Sequence, residues 1–576
     1  DGNPGIVGIH VAGLRGTGFA EPLYREMFEA ANVLPKIEYR LPELGSLSDT
    51  NIELDSNVLM YGTVRKEYAH HESGKTKIVP SLLHAQVYPV KTEPNPLAPG
   101  DPRQPVGSDP LRDGCNKHGW GYSRPFPAKM IESVQHDQRQ ILLNNVKCPL
   151  VQIRELTLQE AICGSVTIPH CEAVNWKSSE GFPLSSLRPK DANNKKYLFD
   201  IEETSDGYKL KGIAPQLERL LIERQKFRDK NVIFPPIYID CLKDYRLPPE
   251  KCAIPGKTRI FSISPIQVTI DIRRYMGLFL SGYKTGFIKS QHGIGINPDS
   301  LDWTNLAQYL LEVGNNIVTG DYSNFGPSLS SQLVVESISD IIYWHEMNHA
   351  PADLIRNLKL ILENEIVNPL HLCNNLVYQT VNGIASGSPI TAELNSEVNK
   401  YYIKLAFLLL VEKNNLNLKM EDFNAKVRLV TYGDDFIMSV HNDYISWFNL
   451  QTIAEVLHEY GVILTDVTKG DEVVRFRPLV QSSFLKRSFA PHPTRKGVYL
   501  APIEEQSITE CINWCHKQTD MVAATQEVVR ASCLLAFGRG PQYYKKHTER
   551  IHRVALRFNI EVCYPLWEEL DKDNFG

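Results

Sequence analysis

The stretch VRLVTYGDDFIMSV, residues 427–440, holds the most informative local pattern in the sequence. Two apolar runs rich in β-branched residues flank Gly433, Asp434 and Asp435, and this arrangement predicts a β-hairpin with an acidic tip. Two like charges about 4 Å apart repel by about 4 kcal/mol at an effective dielectric of about 20. The adjacent carboxylates therefore favour a bound divalent cation, and Mg²⁺ prefers such oxygen ligands. Taken alone, the pair is also consistent with a solvated acidic turn.

A further acidic residue ends the predicted strand in NNIVTGDYSNFGPSL, residues 315–329. Ile317 and Val318 lead towards Asp321, as in a buried strand whose carboxyl end carries an acid. Ligand sites gather at such strand ends in α/β sheets. By itself, Asp321 is better explained as a helix N-cap or a loop acid.

A loop of small residues precedes a long helix in VNGIASGSPITAELNSEVNKYYIKLAFLLL, residues 381–410. The helix is predicted to begin at Thr391, which places Thr391 and Asn395 on one helix face. Ser386 lies in the preceding loop. Together these polar side chains predict a ribose-recognition site, although polar residues at the start of a helix are usually capping or solvated groups.

These three stretches, in this order, resemble motifs A, B and C of the RNA-dependent RNA polymerases of picorna-like positive-strand RNA viruses. The NFGP string at residues 324–327 is similar to the iflavirus-like and dicistrovirus-like members. The resemblance implies that Asp321 and Asp434 are the main catalytic metal ligands and that Asp435 assists them. The implied cofactor is Mg²⁺, with Mn²⁺ as a substitute, and the implied chemistry is two-metal nucleotidyl transfer. The ribose-reading residues that it implies are Ser386, Thr391 and Asn395.

The sequence departs from the family pattern at Gly326. The family usually carries an aspartate at this position, where it helps to select the 2′-hydroxyl of a ribose. A glycine has no side chain to make that contact. We therefore expect ribose selection to rest on Asn395, with help from a repositioned backbone group or a water molecule.

Basic residues cluster in one part of the chain, although the formal net charge of −5 gives no sign of nucleic-acid binding. Nine lysines and arginines lie between residues 241 and 290, against three acidic residues. A triphosphate and an RNA backbone both require such groups. The stretch KDYRLPPEKCAIPGKTRIFSIS, residues 243–264, resembles motif F, which implies that Lys243, Lys257 and Arg259 hold the incoming triphosphate. Without the other motifs, a solvated basic hairpin would explain this stretch.

Three shorter strings resemble further motifs of the same family. SSEGFP, residues 178–183, resembles the template-guiding motif G, and FLKR, residues 484–487, resembles motif E, which braces the primer end. The resemblance implies that Lys469 in HEYGVILTDVTKG is the motif D general acid for the pyrophosphate leaving group, whereas a surface lysine is the plain alternative. The residues implied to contact RNA are Ser178, Ser179, Gly181, Phe182, Pro183, Lys486 and Arg487.

The composition is that of an ordinary soluble globular protein, with 42% hydrophobic and 22% charged residues. The 11 cysteines include no CxxC pair. Cys511 and Cys515, four apart in a predicted helix, do not suffice for a zinc site, so reduced thiols in a cytosolic protein are predicted. No apolar run approaches the roughly 20 residues of a membrane span, and no cleavable signal peptide is recognisable.

The beginning of the chain reads GIVGIHVAGLRGTGFA over residues 5–20, which predicts short strands separated by tight turns. The string GIHVAG resembles the last strands of the chymotrypsin-like cysteine proteases of picorna-like viruses, and this implies that His10 lined a substrate pocket. Residues 1–28 are accordingly predicted to be a C-terminal protease remnant within a polyprotein. A hairpin with an incidental histidine is the alternative.

The resemblance implies an α+β fold, a right hand of fingers, palm and thumb with an antiparallel palm sheet backed by helices. The expected parts are fingers over residues 29–276, a palm over 277–490 with a fingers insertion at about 340–380, and a thumb over 491–576. Helical spacing in ITECINWCHKQ, residues 508–518, and VVRASCLLAF, residues 528–537, favours a helical thumb. Residues 88–127 are too rich in Pro and Gly for long helices.

The expected activity is template-directed RNA synthesis during replication of a positive-strand genome. The implied partners are an RNA template and primer, ribonucleoside triphosphates, a small viral protein primer and other viral replication proteins. The expected location is the host cytoplasm, at membrane-associated replication complexes. Three alternatives stay open: a reverse transcriptase, which shares the palm and the YxDD turn; a protease, which rests on residues 5–20 alone; and a non-catalytic RNA-binding protein, suggested only by Gly326.

Overall fold

The computed structural model describes residues 8–14, 17–22, 38–55, 58–119, 124–367, 369–380, 382–467 and 474–576. The α-helices in these residues are α1 (Pro110–Asn116), α2 (Ala128–Asn145), α3 (Leu158–Cys163), α4 (Pro215–Asp229), α5 (Pro249–Cys252), α6 (Ile266–Thr285), α7 (Leu301–Leu311), α8 (Phe325–Ser328), α9 (Ser331–Met347), α10 (Ala352–Ile361), α11 (Thr391–Lys413), α12 (Met420–Lys426), α13 (Asn442–Ile445), α14 (Leu450–His458), α15 (Glu505–Asn513), α16 (Met521–Ala536), α17 (Pro541–Arg557) and α18 (Trp567–Phe575).

The β-strands pair into one five-stranded sheet, one three-stranded sheet and several two-stranded ones within the described residues. They are β1 (Gly8–Leu14), β2 (Thr17–Pro22), β3 (Glu38–Tyr39), β4 (Leu59–Thr63), β5 (Ile78–Pro80), β6 (Glu93–Pro94), β7 (Phe199–Thr204), β8 (Gly207–Ile213), β9 (Val232–Ile233), β10 (Ile237–Leu242), β11 (Arg246–Leu247), β12 (Ile260–Ile263), β13 (Ile317–Thr319), β14 (Asp321–Tyr322), β15 (Leu370–Cys373), β16 (Leu376–Gln379), β17 (Val427–Tyr432), β18 (Asp435–Val440), β19 (Leu464–Thr465), β20 (Ala490–Pro491), β21 (Tyr499–Leu500) and β22 (Trp514–His516).

The three-stranded sheet has the antiparallel order β13-β18-β17 and carries the acidic turn. The predicted hairpin is confirmed, because β17 and β18 pair in register with Tyr432 opposite Asp435. The predicted start of the long helix at Thr391 is confirmed as well. Helix α11 lies against β17, and its buried side chains, among them Phe407, belong to the largest apolar core of the described residues.

The five-stranded sheet, in the order β12-β10-β15-β16-β4, joins parts of the chain that are far apart in sequence. Strand β10 is antiparallel to β12 and parallel to β15, so residues near 240 lie beside residues near 370. Alternation along β10 sends Asp240 to one side of the sheet and Cys241 to the other. The sheet therefore combines segments from the predicted fingers and from the predicted insertion, whose boundaries stay predictions.

The C-terminal region, helices α15 to α18, packs around its own apolar core, to which Leu83 and Val87 also contribute. One prediction here is wrong: the helix in ITECINWCHKQ ends at Asn513, and Cys515 lies in β22. The backbone of β22 leaves the helix because it pairs antiparallel with β5, with Cys515 opposite Val79. Cys511 and Cys515 therefore do not share a helix.

The remaining predictions about local structure agree with the described residues. Residues 88–119 hold α1, whose N-cap Asp109 accepts hydrogen bonds from the backbone N–H groups of Leu111 and Arg112, a single 3₁₀ turn at Lys117–Gly119, and otherwise only brief turns and strands. The described cysteines are free thiols, most of them buried or half-buried. Strands β1 and β2 pair with each other, whereas the side chain of His10 lies outside the described part of the structure. No helix among the described residues has the length and hydropathy needed to span a bilayer.

Candidate active site

The acidic turn between β17 and β18 is held from behind by two polar residues of α11. Gly433 adopts a left-handed φ of +60°, a conformation that glycine tolerates without strain. Its N–H donates to the Ser396 hydroxyl at 2.8 Å. The amide nitrogen of Asn399 donates to the carbonyl oxygens of Gly433 at 2.9 Å and of Asp435 at 3.1 Å. These bonds fix the direction in which the turn presents Asp434.

The strand end that carries Asp321 is tied to the same helix residue. The hydroxyl of Tyr322 donates to Oδ1 of Asn399 at 2.9 Å, and both residues are buried. In the sheet, Thr319 of β13 lies opposite Ile437 of β18, so continuing the register brings Asp321 to the same end of the sheet as Asp435. One buried amide thus links the two acidic segments.

The carboxylates of the turn influence one another electrostatically. Burial raises the pKa of Asp434; Arg259 opposes this shift and Asp321 adds to it. Burial also raises the pKa of Asp435, to about 7, with further contributions from Asp434 and Asp321 and an opposing hydrogen bond from the Leu485 N–H. Three carboxylates gathered at one end of the sheet supply hard oxygen donors, which is the donor set that fits divalent Mg²⁺.

A strained two-residue turn supports Asp435 from the other side. Leu485 and Lys486 have φ values of +54° and +60°, which are unusual for residues with side chains. The flanking backbone groups of Phe484 and Arg487 bond to each other in both directions at 2.8 and 2.9 Å. This closed turn points the Leu485 N–H at Oδ2 of Asp435, 2.7 Å away. The strain is therefore located where it orients a predicted metal ligand.

The two basic side chains of this turn have different surroundings. Lys486 is 70% exposed and contacts Glu504 at 3.1 Å. Arg487 is 12% exposed, and its guanidinium contacts Asp299 at 3.1 Å and the Ala501 carbonyl at 2.9 Å. Lys486 can reach a nucleic acid without losing a buried partner, whereas Arg487 is bound within the protein. The predicted RNA contact of Arg487 stays a prediction.

The loop before α11 is pressed onto strand β12. The Ser386 hydroxyl accepts the Ser262 N–H at 3.0 Å. A Cβ at Gly387 would lie 2.0 Å from the Ser262 carbonyl oxygen, so only glycine permits this approach. The Thr391 hydroxyl is directed at the loop itself, towards the carbonyl oxygens of Ala385 and Ser388 at 2.9 Å. Ser386 is exposed, whereas Thr391 stabilises the loop that presents it.

Asn395 and Gly326 are the positions where space and hydrogen-bonding capacity are left for a ligand. The Oδ1 atom of Asn395 is shielded from solvent, and no donor among the described residues contacts it. A buried polar atom without a partner costs about 1–3 kcal/mol, so a ligand hydroxyl that donates to this oxygen would be stabilised. A Cβ at Gly326 would meet no atom within 4 Å. The carbonyl oxygen of Gly326 contacts the loop at Gly383, where a Cβ would lie 2.8 Å away.

The predicted triphosphate-binding residues share one hairpin-like unit. The N–H of Lys243 donates to the Arg259 carbonyl at 2.9 Å, next to the β10–β12 pairing. Lys243, Lys257 and Arg259 are exposed, and no ion pair joins them to a carboxylate in the described part of the chain. The influence of Arg259 on the pKa of Asp434 places its charge near the acidic turn.

Other basic residues of the same stretch are bound within the protein. Arg246 donates to the Glu510 carbonyl oxygen at 2.8 Å in α15. Arg273 bonds to the Ala161 carbonyl at 2.5 Å, and Arg274 contacts Glu155 at 3.1 Å. The basic stretch thus divides into free cations at the site and structural cations elsewhere.

A buried carboxylate that the sequence did not reveal lies behind this unit. Asp240 on β10 is fully buried and accepts hydrogen bonds from Ser262 at 2.6 Å, from His371 at 2.9 Å and from the Tyr378 hydroxyl. Burial acts to raise the pKa of Asp240, but His371 and these hydrogen bonds outweigh it and lower the pKa. Since the Ser262 N–H also binds Ser386, one network supports both the basic unit and the loop before α11.

The 178–183 loop lies against the start of α6, the helix that directly follows β12 in the chain. Gly181 has a φ of +73°, and a Cβ there would lie 2.7 Å from the Ser264 carbonyl oxygen. Its N–H donates to the Ser179 hydroxyl at 3.2 Å, and Gln267 donates to the Phe182 carbonyl at 3.1 Å. The other two predicted residues lie at the loop's ends: exposed Ser178, bonded to Lys195, and half-buried Pro183.

Lys469, the predicted general acid, lies outside the described residues, so its role stays a prediction. Sequence reasoning missed Ser396, Asn399 and Asp240. The first two carried a weak signal, because they are polar residues three apart and therefore lie on one face of the predicted helix. Asp240 carried none, since its partners His371 and Tyr378 lie more than a hundred residues away in sequence.

Comparison with known proteins places this geometry in context. Residues 85–557 match the family model described as viral RNA-dependent RNA polymerase. The chain is 40% identical over 578 residues to the genome polyprotein of Deformed wing virus, an alignment that covers 98% of the chain and 20% of the polyprotein. It is 29% identical over 558 residues to the replicase polyprotein of Acute bee paralysis virus (strain Rothamsted), covering 92% of the chain and 28% of that polyprotein. The chain thus spans about a fifth of the first relative's length and just over a quarter of the second's.

A solved structure gives the fold. The Sicinivirus 3Dpol RNA dependent RNA polymerase superposes with a TM-score of 0.72 at 20% identity, covering 90% of this chain and 98% of that one. The predicted right-hand α+β architecture is thereby confirmed. The insect-virus relatives also confirm the predicted resemblance to iflavirus-like and dicistrovirus-like proteins.

Proposed function

The chain belongs to the family of viral RNA-dependent RNA polymerases, and from this premise we propose that it extends an RNA primer on an RNA template with ribonucleoside triphosphates. The observation that carries the proposal is the meeting of Asp321, Asp434 and Asp435 at one end of the three-stranded sheet. Nothing in the described residues supports a protease function, because strands β1 and β2 form a two-stranded sheet of their own.

The three carboxylates are the residues that would hold Mg²⁺, or Mn²⁺ in its place, during the reaction. Bound there, two cations would assist attack of the primer 3′-hydroxyl on the α-phosphate and neutralise the charge that develops. The protein's own contribution is to fix these acids before substrate binds: Asn399 and Ser396 hold the turn, and the Leu485 N–H holds Asp435. Such preorganisation removes reorganisation energy from the chemical step.

Cationic and polar groups around the acids supply the nucleotide site. We assign the triphosphate to Lys243, Lys257 and Arg259, whose charges are exposed and unpaired among the described residues. We assign the ribose hydroxyls to Asn395, whose Oδ1 lacks a donor, and to Ser386. Lys469 would donate a proton to the departing pyrophosphate or stabilise its charge.

The RNA itself would contact the 178–183 loop on the template side and Lys486 on the primer side. Sequence selection would come from base pairing, while the protein reads backbone shape and 2′-hydroxyls. We further propose that the chain works with a small viral protein primer and other viral replication proteins. Its proposed location is a membrane-associated site in the host cytoplasm. The relatives are polyproteins, which supports the proposal that the chain acts together with other viral proteins.

The test is primer extension on a defined RNA template with Mg²⁺ and either ribo- or deoxynucleoside triphosphates, beside the Asp434→Asn variant. We expect extension with ribonucleotides, its loss by at least about a thousandfold in the variant, and nearly unchanged RNA affinity. Extension with deoxynucleotides alone would identify a reverse transcriptase. Near-normal turnover by Asp434→Asn would overturn the catalytic assignment, and RNA binding without any extension by the wild-type chain would leave a non-catalytic binding protein.

A further inference from the structure

Three side chains of different chemistry converge near the end of β10, the second strand of the five-stranded sheet. The Cys241 thiol on β10 lies 3.3 Å from Nε2 of His70. The same ring nitrogen lies 3.7 Å from Oε1 of Glu72. One ligand atom from each residue lies within 4.8 Å of the other two. The segment that carries His70 and Glu72 follows β4 and leads to β5.

We propose that His70, Glu72 and Cys241 form a zinc site. Zinc binds sulfur at about 2.3 Å and nitrogen or oxygen at about 2.0–2.2 Å in tetrahedral geometry, which separates the ligand atoms by about 3.3–3.8 Å. The thiol–imidazole separation of 3.3 Å and the imidazole–carboxylate separation of 3.7 Å agree with that range, and all three ligand atoms lie within 4.8 Å of one another. A thiolate, an imidazole and a carboxylate together select a borderline-soft cation and disfavour Mg²⁺, whose ligands are oxygens.

The ligands are positioned by bonds that do not use their zinc-binding capacity. The Leu242 N–H donates to Oε1 of Glu72 at 2.8 Å, which leaves the second lone pair of Oε1 and the whole of Oε2 for the metal. The backbone N–H of His70 donates to the Asn374 carbonyl at 2.9 Å, in the turn between β15 and β16. Three residues from two separate parts of the chain are therefore oriented towards one point, and such support is typical of metal sites.

The surroundings leave room for a fourth ligand from solvent. The side chains of His70 and Glu72 are 30% and 23% exposed, whereas Cys241 is buried and only 5% exposed. A water molecule can therefore complete the tetrahedron on the outer side while the sulfur closes the inner side. No fourth protein ligand is needed, and the exposed His71 ring is not part of the cluster.

The position of the site gives zinc a structural consequence. Cys241 lies near the end of β10 and Lys243 directly follows that strand, so a cation would fasten residues 70–72 to the strand end that leads into this lysine. Zinc binding as such is independent of the proposed polymerase function. Only its expected effect on triphosphate binding rests on that function.

The experiment measures metal in the tag-free full chain by mass spectrometry, after purification with Zn²⁺ and desalting. We expect about one zinc per chain, and its loss in Cys241→Ser and in His70→Ala. The matched controls are Cys252→Ser, which removes another buried thiol, and His71→Ala, which removes the neighbouring imidazole; both should keep their zinc. The Asp434→Asn variant should keep it too, since this separates the site from the acidic turn.

A readout on the wild-type protein covers the case in which a variant fails to fold. Co²⁺ bound in place of zinc should give a tetrahedral d–d spectrum and a thiolate charge-transfer band, and added Zn²⁺ should abolish both. Removal of zinc by a chelator should lower Tm by several degrees and raise the KM for nucleotides more than it lowers kcat. Absence of stoichiometric zinc together with absence of a cobalt–thiolate band would overturn the proposal, as would zinc retained in full by folded Cys241→Ser.

Discussion

The side chain of Asn399 is shared by three backbone or hydroxyl groups that define the acidic turn. Its amide nitrogen donates to the Gly433 and Asp435 carbonyls, and its amide oxygen accepts a hydrogen bond from the Tyr322 hydroxyl. The Asn399 side chain is itself fully buried, and for a buried group a lost partner is more costly than a bond is favourable. At the scale of single residues, Asn399 therefore determines how Asp321 and Asp434 face each other.

We predict that Asn399→Ala lowers the stability of the chain and its catalytic rate together. Leaving buried polar groups without partners costs about 1–3 kcal/mol each, so Tm should fall by several degrees. The value of kcat should fall at least about tenfold, because the turn loses its fixed direction, while RNA affinity should change little. Thermal melting and single-turnover extension measure the two effects. Asn414→Ala, at the solvent-exposed end of the same helix, is the control; wild-type kinetics in Asn399→Ala would contradict the prediction.

The open space at Gly326 leads to a prediction about ribose selection. A Cβ there meets no atom within 4 Å, so Gly326→Asp should fold without strain. The added carboxylate would lie beside the predicted ribose site and would accept a hydrogen bond from the ribose 2′-hydroxyl, which deoxynucleotides lack. One such hydrogen bond is worth about 1.4 kcal/mol, or about tenfold in selectivity. Competition between ribo- and deoxynucleotides on one template measures it, and an unchanged ratio in an active variant would count against this account of the site.

At the scale of elements, β10 and β12 form the unit that carries both the free cations and the contact to the loop before α11. Its stability depends on the buried Asp240 network, in which Ser262 connects the carboxylate to Ser386. A buried charge that keeps its partners is tolerated, whereas removing one side of a pair costs about 3–5 kcal/mol. The unit therefore holds its shape only while His371 and Asp240 stay together.

We predict that Asp240→Ala lowers Tm by more than Asn399→Ala does and raises the KM for nucleotides by about tenfold or more. The reason is that His371, Ser262 and Tyr378 all lose their acceptor. Melting curves and steady-state extension at varied nucleotide concentration are the measurements. Glu250→Gln, exposed in the same unit, should behave as wild type. If Asp240→Ala kept a wild-type KM, the link between this network and the triphosphate site would be disproved.

The elements show which features local sequence patterns can predict. The β17–β18 hairpin and the start of α11 followed from alternation, glycine and helix periodicity, which depend on residues close in sequence. The helix end at Asn513 did not follow, because β22 is created by pairing with Ile78–Pro80 far away. The same limit hid the partnership of Asp240 with His371. Long-range pairing decides these features, and a single sequence does not display it.

At the scale of the whole molecule, Glu510 joins the C-terminal region to two distant segments. Its carboxylate accepts the N–H groups of Lys91 at 2.8 Å and of Thr92 at 3.0 Å, and it lies 3.8 Å from the Arg246 guanidinium. Arg246 also binds the Glu510 carbonyl. The side chain of Glu510 is 4% exposed, so these bonds act without competition from water. The segment 78–95 thus reaches the C-terminal region both through β5 and through this carboxylate.

We predict that Glu510→Ala weakens the contact between segment 78–95 and the C-terminal region and shortens the lifetime of the complex with RNA. The variant leaves the N–H groups of Lys91 and Thr92 without their acceptor and removes the charge that faces the Arg246 guanidinium, a cost of about 3–5 kcal/mol. If part of that cost appears as opening of the molecule, dissociation from a primed template should speed up about tenfold, since about 1.4 kcal/mol suffices for that factor. Complex lifetime under heparin challenge measures the effect, and the rate of each nucleotide addition should change little because the acidic turn is untouched. Gln506→Ala on the exposed face of α15 is the control. A folded Glu510→Ala variant with a wild-type lifetime would mean that pairing of β5 with β22 alone holds the two regions together.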